Sequence, residues 1–297
     1  MNFFKSAVCL SLLLGAAACA SNDGGTDSVN DELSTAAANG KLVGSFTNLG
    51  ATDWAAVKVK LVRQGTSVFG GEDGGKAYET AVKSSKVLGV TGFSGQWDLS
   101  IVPTTPDQEA ALTEAKKQVP AAEAGFNAIF KALPSSGLRI VSGGTRVGVP
   151  KIAHEQAAKL SLKTDAVSSG KGGDYVLDEK LGFCKVDQAL FLGDDWGKES
   201  ATFLAVTDEM LLVGGGGQVR KEAMSNLVSS KPLYVVLGTG GAADAIVDLV
   251  KQAQTPDGVD VKGTIFKLTA AQAANLHTYK TWAEAAAAAP TWLKNAK

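Results

Sequence analysis

Short apolar runs recur from Leu138 onward, each ending in glycine and followed by a helical spacing of apolar positions. Leu138-Arg139-Ile140-Val141 runs into Ser142-Gly143-Gly144-Thr145, and Met210-Leu211-Leu212-Val213 into Gly214-Gly215-Gly216-Gly217. Leu233-Tyr234-Val235-Val236-Leu237 runs into Gly238-Thr239-Gly240-Gly241. Runs of four to eight apolar residues bounded by glycine read as buried strands. The helices that follow are expected at Pro150–Leu160, Arg220–Val228 and Ala242–Gln252. Upstream, Val87–Gly92 reads as a strand. Pro106–Leu133 reads as a helix capped by Thr105 and interrupted or kinked at Pro120. Val186–Leu192 is a further strand, Gly193–Gly197 a loop and Lys198–Val206 a short helix.

Strands alternating with helices imply an α/β domain, a Rossmann-like, mostly parallel sheet covered by helices on both faces. Right-handed crossovers bring the glycine loops to one edge of that sheet. The ends of the domain follow other patterns. Leu42–Phe46 and Val57–Val62 alternate apolar with polar and predict a β-rich entry, with a loop at Gly70–Gly75. Residues 163–186 show no clear period. Gly263–Leu268 predicts a strand, and Ala270–His277 and Thr281–Ala289 predict two helices stopped by Pro290. Trp282, Trp292 and Leu293 are expected to dock this tail on the domain.

The first residues differ in kind from the rest. Lys5 precedes an apolar run, Ala7–Ala18, too short to span a bilayer as a mature helix. It ends Gly15-Ala16-Ala17-Ala18-Cys19, which resembles the bacterial lipobox, with Ala16 where leucine is usual. That resemblance implies cleavage before Cys19, lipidation of Cys19 and a place in the cell envelope; Ala20 and Ser21 after the cysteine, where no aspartate stands, favour the periplasmic face of the outer membrane. A plain secretory signal cleaved after Ala-x-Ala is the alternative. The division expected is a signal at 1–18, a polar, acidic tether at 19–40, and one domain at 41–297. Its core spans about 85–252 and its helical tail 270–297.

Composition narrows the chemistry. The 297 residues are 45% hydrophobic and 20% charged, an ordinary globular balance, and the net charge of −1 gives no reason to expect nucleic acid. Two histidines and three cysteines make no conventional zinc site by spacing, and no metal or cofactor is expected. Cys184 is the single thiol of the domain proper and reads as a packing residue.

A glycine loop between a strand and a helix lets an anion approach backbone N–H groups at the positive end of the helix dipole. In the first loop, Ser142 and Thr145 add hydroxyls and Arg146 can pair a phosphate in a forked geometry. In the second, four glycines followed by Gln218 read as a backbone nest. In the third, Gly238, Thr239 and Gly240 serve packing or ligand contact equally well. Asp98 or Asp195 are candidates for ribose hydroxyls. No loop fits the dinucleotide fingerprint, and no Gly-Lys-Ser/Thr follows any of them.

Taken in order, Val87-Leu88-Gly89-Val90-Thr91-Gly92, the segment Gly137–Lys151 and the segment Lys231–Asp244 resemble the SLOG (LSDAT) domain at the N-terminus of TRPM channels. Its strand ends "VTGG", its first loop reads "TGGTxTGVMK" and its last strand and helix read "VVxGTGxAADxI". The similarity covers roughly residues 42–250. Asp208–Glu222 is similar to the "PGGxGTxxE" motif of the related LOG-type phosphoribohydrolases. Aligning the glycines puts Gln218 at the threonine and Lys221 at the catalytic glutamate. Sliding by one residue recovers Glu222 and loses the later glycine and the threonine. The resemblance implies recognition of a nucleotide or ADP-ribose-like small molecule. Two other readings stay open: N-glycosidase action on nucleoside monophosphates through Glu222, and an interaction lipoprotein with a vestigial pocket.

Overall fold

The computed structural model describes residues 40–294 and 296, so Cys19, the signal and nearly all of the tether lie outside the described residues. Nine strands form one sheet in which every pairing is parallel. They are β1 (Leu42–Gly44), β2 (Ser67–Gly70), β3 (Lys86–Gly92), β4 (Leu138–Ser142), β5 (Lys163–Ser169), β6 (Gln188–Leu192), β7 (Glu209–Val213), β8 (Leu233–Val236) and, last in the chain, β11 (Leu276–Tyr279). Their spatial order is β1-β2-β6-β5-β4-β3-β7-β8-β11.

The apolar runs work because each strand faces two cores. In β7, Met210 and Leu212 join one apolar cluster while Leu211 and Val213 join another, and β8 repeats the division with Leu233 and Val235 against Tyr234 and Val236. Side chains alternate between faces along a strand, so a strand buried on both faces reads as a continuous apolar run. One face carries α2 (Gly71–Val82), α6 (Ser200–Val206), α7 (Gly217–Val228) and α8 (Gly241–Ala253). The other carries α3 (Pro106–Ala132), α4 (Gly148–Lys159) and α10 (Trp282–Ala288). Two further helices, α1 (Trp54–Arg63) and α5 (Gly172–Leu177), cover the β2–β6 end. Thr105 caps α3 by accepting from the Gln108 N–H at 3.3 Å, and the helix runs through Pro120 without a break.

Four segments differ from the expectation. Val57–Val62 is not a strand but part of α1. Trp54, Val57 and Leu61 share a buried face at helical spacing, and Asp53 caps the helix by accepting from Ala56 at 3.1 Å. Gly70–Gly75 is not a loop but leads into α2. Its glycines allow close approach: a Cβ on Gly74 would stand 3.1 Å from backbone atoms of Phe69 and Val43. The aperiodic 163–186 holds β5, whose buried residues are largely polar. Asp165, completely buried, pairs with Arg139 at 2.6 Å and accepts from the Tyr78 hydroxyl at 3.1 Å. Burial pushes its carboxyl up to about 7, against the pull of Arg139.

At the far end, Ala270–His277 is not one helix. A four-residue α9 (Ala270–Ala273) precedes β11, and Gly263–Leu268 supplies β10 (Thr264–Phe266) of a separate hairpin with β9 (Val259–Val261). The tail docks as expected. Trp292 stacks on Tyr234 with centroids 3.9 Å apart, and Glu209 accepts both the Tyr234 hydroxyl and the Leu293 N–H at 2.7 Å. Among the described residues no helix is long and apolar enough to cross a membrane.

β3 lies between β4, which follows it, and β7, which the chain reaches only after stepping outward through β5 and β6. The carboxyl ends of β3 and β7 are therefore a topological switch point, where open α/β sheets bind their ligands.

Candidate functional site

A cavity of about 380 Å³ opens at that switch point, within the range of about 300–1,000 Å³ typical of small-molecule sites. Its floor is the end of β3, Val90-Thr91-Gly92, with Val167 of β5 alongside. The first glycine loop contributes Gly143, Thr145 and Val147, and the first turns of α7 contribute Gln218, Val219 and Glu222. The loop after β6 supplies Trp196, Gly197 and Glu199, and Tyr175 of α5 completes the rim by meeting Trp196 edge-on at 5.9 Å.

Glu222 sits at the base, buried, with both oxygens engaged. Thr91 donates to Oε2 at 2.8 Å, and Ser200 donates to Oε1 at 2.7 Å. Gln218 Nε2 donates to the Ser200 hydroxyl at 3.0 Å. Burial raises the Glu222 carboxyl above the usual range, and the Ser200, Thr91 and Gln218 bonds hold it back. Glu199 takes the Gly197 N–H at 2.8 Å. Burial first, and the neighbouring Glu222 among lesser causes, bring it up to about 7. A carboxyl so placed titrates near neutrality and serves as hydrogen-bond donor or acceptor according to its protonation.

Among the described residues the cavity wall thus holds three carboxyl groups, Asp98, Glu199 and Glu222, and no lysine, arginine or histidine. Two like charges about 5 Å apart at an effective dielectric of about 20 repel by about 3 kcal/mol. A phosphate deep in this cavity would meet that repulsion.

The cations stand next door. Arg146, Lys151 and Lys180 line an adjoining depression of about 340 Å³, together with Glu123. Asp98 and Val147 line both hollows. The backbone explains the split. Thr145 forms a β-bridge with Phe183, and the Arg146 N–H donates to Gly182 at 3.1 Å. Extended chain then alternates, so Thr145 and Val147 face the cavity while Arg146 lies outward against Gly182. Among the described residues none of these three cations forms an ion pair.

The other predicted residues fall in different places. Ser142 does not line the cavity: it is buried behind Gly143, its hydroxyl 2.9 Å from His154 Nε2. Gly144 holds the turn at φ +81°, where a Cβ would overlap Phe183 and Ala166. Gly214–Gly217 precede the cavity wall but do not line it; only Gln218 of that group does. Gly214 N–H donates to the Thr239 hydroxyl at 2.9 Å, and the Ala242 and Ala243 N–H groups donate to Gly215 and Gly214. The second loop is thereby tied to the third.

The third loop, Gly238, Thr239 and Gly240, faces a separate depression beside Trp97. Asp244 accepts from Gly238 at 2.6 Å and from Gly240 at 3.2 Å, occupying the N–H groups an anion would need. Asp195 is paired with Lys171 at 2.7 Å and does not line the cavity, whereas Asp98 does. Glu222 faces the cavity although the glycine alignment offered Lys221. Glu199, Trp196 and Tyr175 were not singled out by sequence. Cys184 is buried, its thiol 3.4 Å from the Thr145 carbonyl and pushed up to about 12 by burial. Among the described residues no group of three His, Cys, Asp or Glu side chains is placed to hold a metal ion.

Residues 187–281 match the family model described as SLOG in TRPM, prokaryote. The resemblance read from the sequence therefore holds over β6 to β11, a stretch that includes Gln218, Glu222 and the second and third glycine loops. None of the curated proteins compared with the chain matches it. Among solved structures, TM1055 is similar at 20% identity and TM-score 0.45, covering 67% of this chain and 95% of its own. The molybdenum cofactor carrier protein of Chlamydomonas reinhardtii is similar at 17% identity and TM-score 0.44, covering 70% and 97%. The molybdenum cofactor binding protein of Rippkaea orientalis is similar at 15% and 0.38, covering 64% and 93%. At these identities and TM-scores the likenesses say nothing of what this chain binds.

Proposed function

We propose that this chain is a binding module for a nucleotide or ADP-ribose-like molecule, exported and held in the cell envelope by a lipid on Cys19. The observation that carries the ligand reading is the cavity at the β3–β7 switch point, which combines buried acceptors with aromatic surface at its rim. A thermal-shift series with ADP-ribose, cyclic ADP-ribose and nucleoside monophosphates tests it. A ligand at 100 times its Kd adds about 2.7 kcal/mol, a shift of several degrees for a domain of this size. No shift across the series points instead to an interaction lipoprotein with a vestigial pocket.

A second reading, N-glycosidase action, is favoured by one observation: the Glu222 carboxylate lies in the cavity wall. There it would face the positive charge of a ribosyl oxocarbenium-like transition state. Release of free base from nucleoside monophosphates, abolished by Glu222→Gln, is the expected result on that reading. The anchor is tested separately. Labelled palmitate should enter the wild-type chain and fail to enter Cys19→Ser, and gradient fractionation should place the wild type with the outer membrane.

A further inference from the structure

The cavity and the depression beside it are opposite in character and adjoin at Asp98 and Val147. Among the described residues one holds acceptors and no cation, and the other holds Arg146, Lys151 and Lys180 against Glu123, with Asp98 at the boundary. Arg146 and Lys180 are exposed and reach the depression directly. The Thr145–Phe183 bridge fixes which side each residue of the first loop faces, so the division is built into the backbone.

We propose that one ligand is divided between them: its ribosyl hydroxyls and base N–H groups enter the cavity against Glu199 and Glu222, and its phosphate stays outside on Arg146, Lys151 and Lys180. This reverses the usual arrangement of a glycine-loop site, in which phosphate lies innermost on the loop. Carboxylates accept from paired hydroxyls, and Trp196 and Tyr175 offer a base a stacking surface at the rim. The phosphate meets forked and point-charge donors in a depression open to water, where its charge need not be fully desolvated. The inference rests on the nucleotide reading above.

Calorimetric titration of the full chain in detergent with adenosine, AMP and ADP-ribose tests it, using wild type, the double variant Arg146→Ala/Lys180→Ala and Glu199→Gln. The double variant should weaken AMP and ADP-ribose at least tenfold and adenosine less than twofold. Raising salt from 50 to 500 mM should act on wild type in the same direction. Glu199→Gln should weaken adenosine and AMP by the same factor. Both cations are exposed, so a melting curve matching wild type is expected and excludes misfolding as the cause. If AMP binds wild type and the double variant equally, or if adenosine and AMP lose affinity together in the double variant, the divided site is wrong and the nucleotide reading stands. If no probe binds wild type, the nucleotide reading fails and takes this inference with it.

Discussion

The Thr91 hydroxyl, near the carboxyl end of β3, donates to Glu222 at 2.8 Å across the floor of the cavity. This bond joins β3 to α7, the helix that begins at the end of the tetraglycine loop. Thr91→Val keeps the shape and removes the donor. An acceptor left short of a partner in a buried site costs about 1–3 kcal/mol. Denaturant titration should show that loss, and any ligand that uses Glu222 should bind more weakly in parallel.

Glu199 gives the site a pH signature. Its ordinary carboxyl value is 4.5, and burial lifts it to about 7 in the folded chain. Below pH 4.5 both folded and unfolded forms are protonated and the contribution is at its fullest. Between 4.5 and 7 the unfolded form ionises first, so stability falls, by up to about 3 kcal/mol, and levels off above. Glu199→Gln removes that slope. Melting temperatures across pH 4–8 should show the variant gaining on wild type as pH rises. A constant difference would place Glu199 in a solvated setting.

His154 predicts the opposite slope. Burial lowers its imidazole to about 4, and it holds Ser142 in the neutral form. Its contribution is full above pH 6.5 and is lost as pH falls toward 4, because the unfolded chain takes up the proton first. His154→Gln should flatten acid destabilisation over that window, read by circular dichroism.

Gly144→Ala is expected to be severe. It places a Cβ on Phe183 and Ala166 and holds alanine at φ +81°, a combined cost of about 2–4 kcal/mol. The first loop should loosen with it. Peptide-resolved alkylation supplies the readout: Cys184, buried against Thr145, should resist iodoacetamide at pH 8 in wild type and react in the variant.

What sequence made legible was the part of the fold that obeys a simple period. β7 and β8 are apolar on both faces, so their runs were plain, and the loops and helices beyond them followed. β5 was hidden because its buried residues include Thr164, Asp165, Ser168 and Ser169, and a strand with so many polar side chains turned inward carries no apolar signature. α2 was hidden for a related reason, since glycines that permit close helix–sheet contact look locally like a turn. At the site, Thr145, Arg146, Gln218 and Glu222 were reachable from motif spacing. Glu199, Trp196 and Tyr175 were not, because the loop after β6 and helix α5 meet the first loop only in the folded sheet. Nor did spacing show that Arg146 faces away from Thr145, which depends on the bridge to Phe183.

The strand order has a kinetic consequence. β2 sits between β1 and β6, and Thr66 bonds to Val186, 120 residues further on. The opening strands therefore have no inner neighbour until two thirds of the polypeptide has emerged, and the outermost strand on the other side comes from the last segment of all. Contacts so distant make assembly slow and leave apolar edges waiting. Such a chain gains little from folding as it is synthesised, because both margins of its sheet close only after distant segments have arrived.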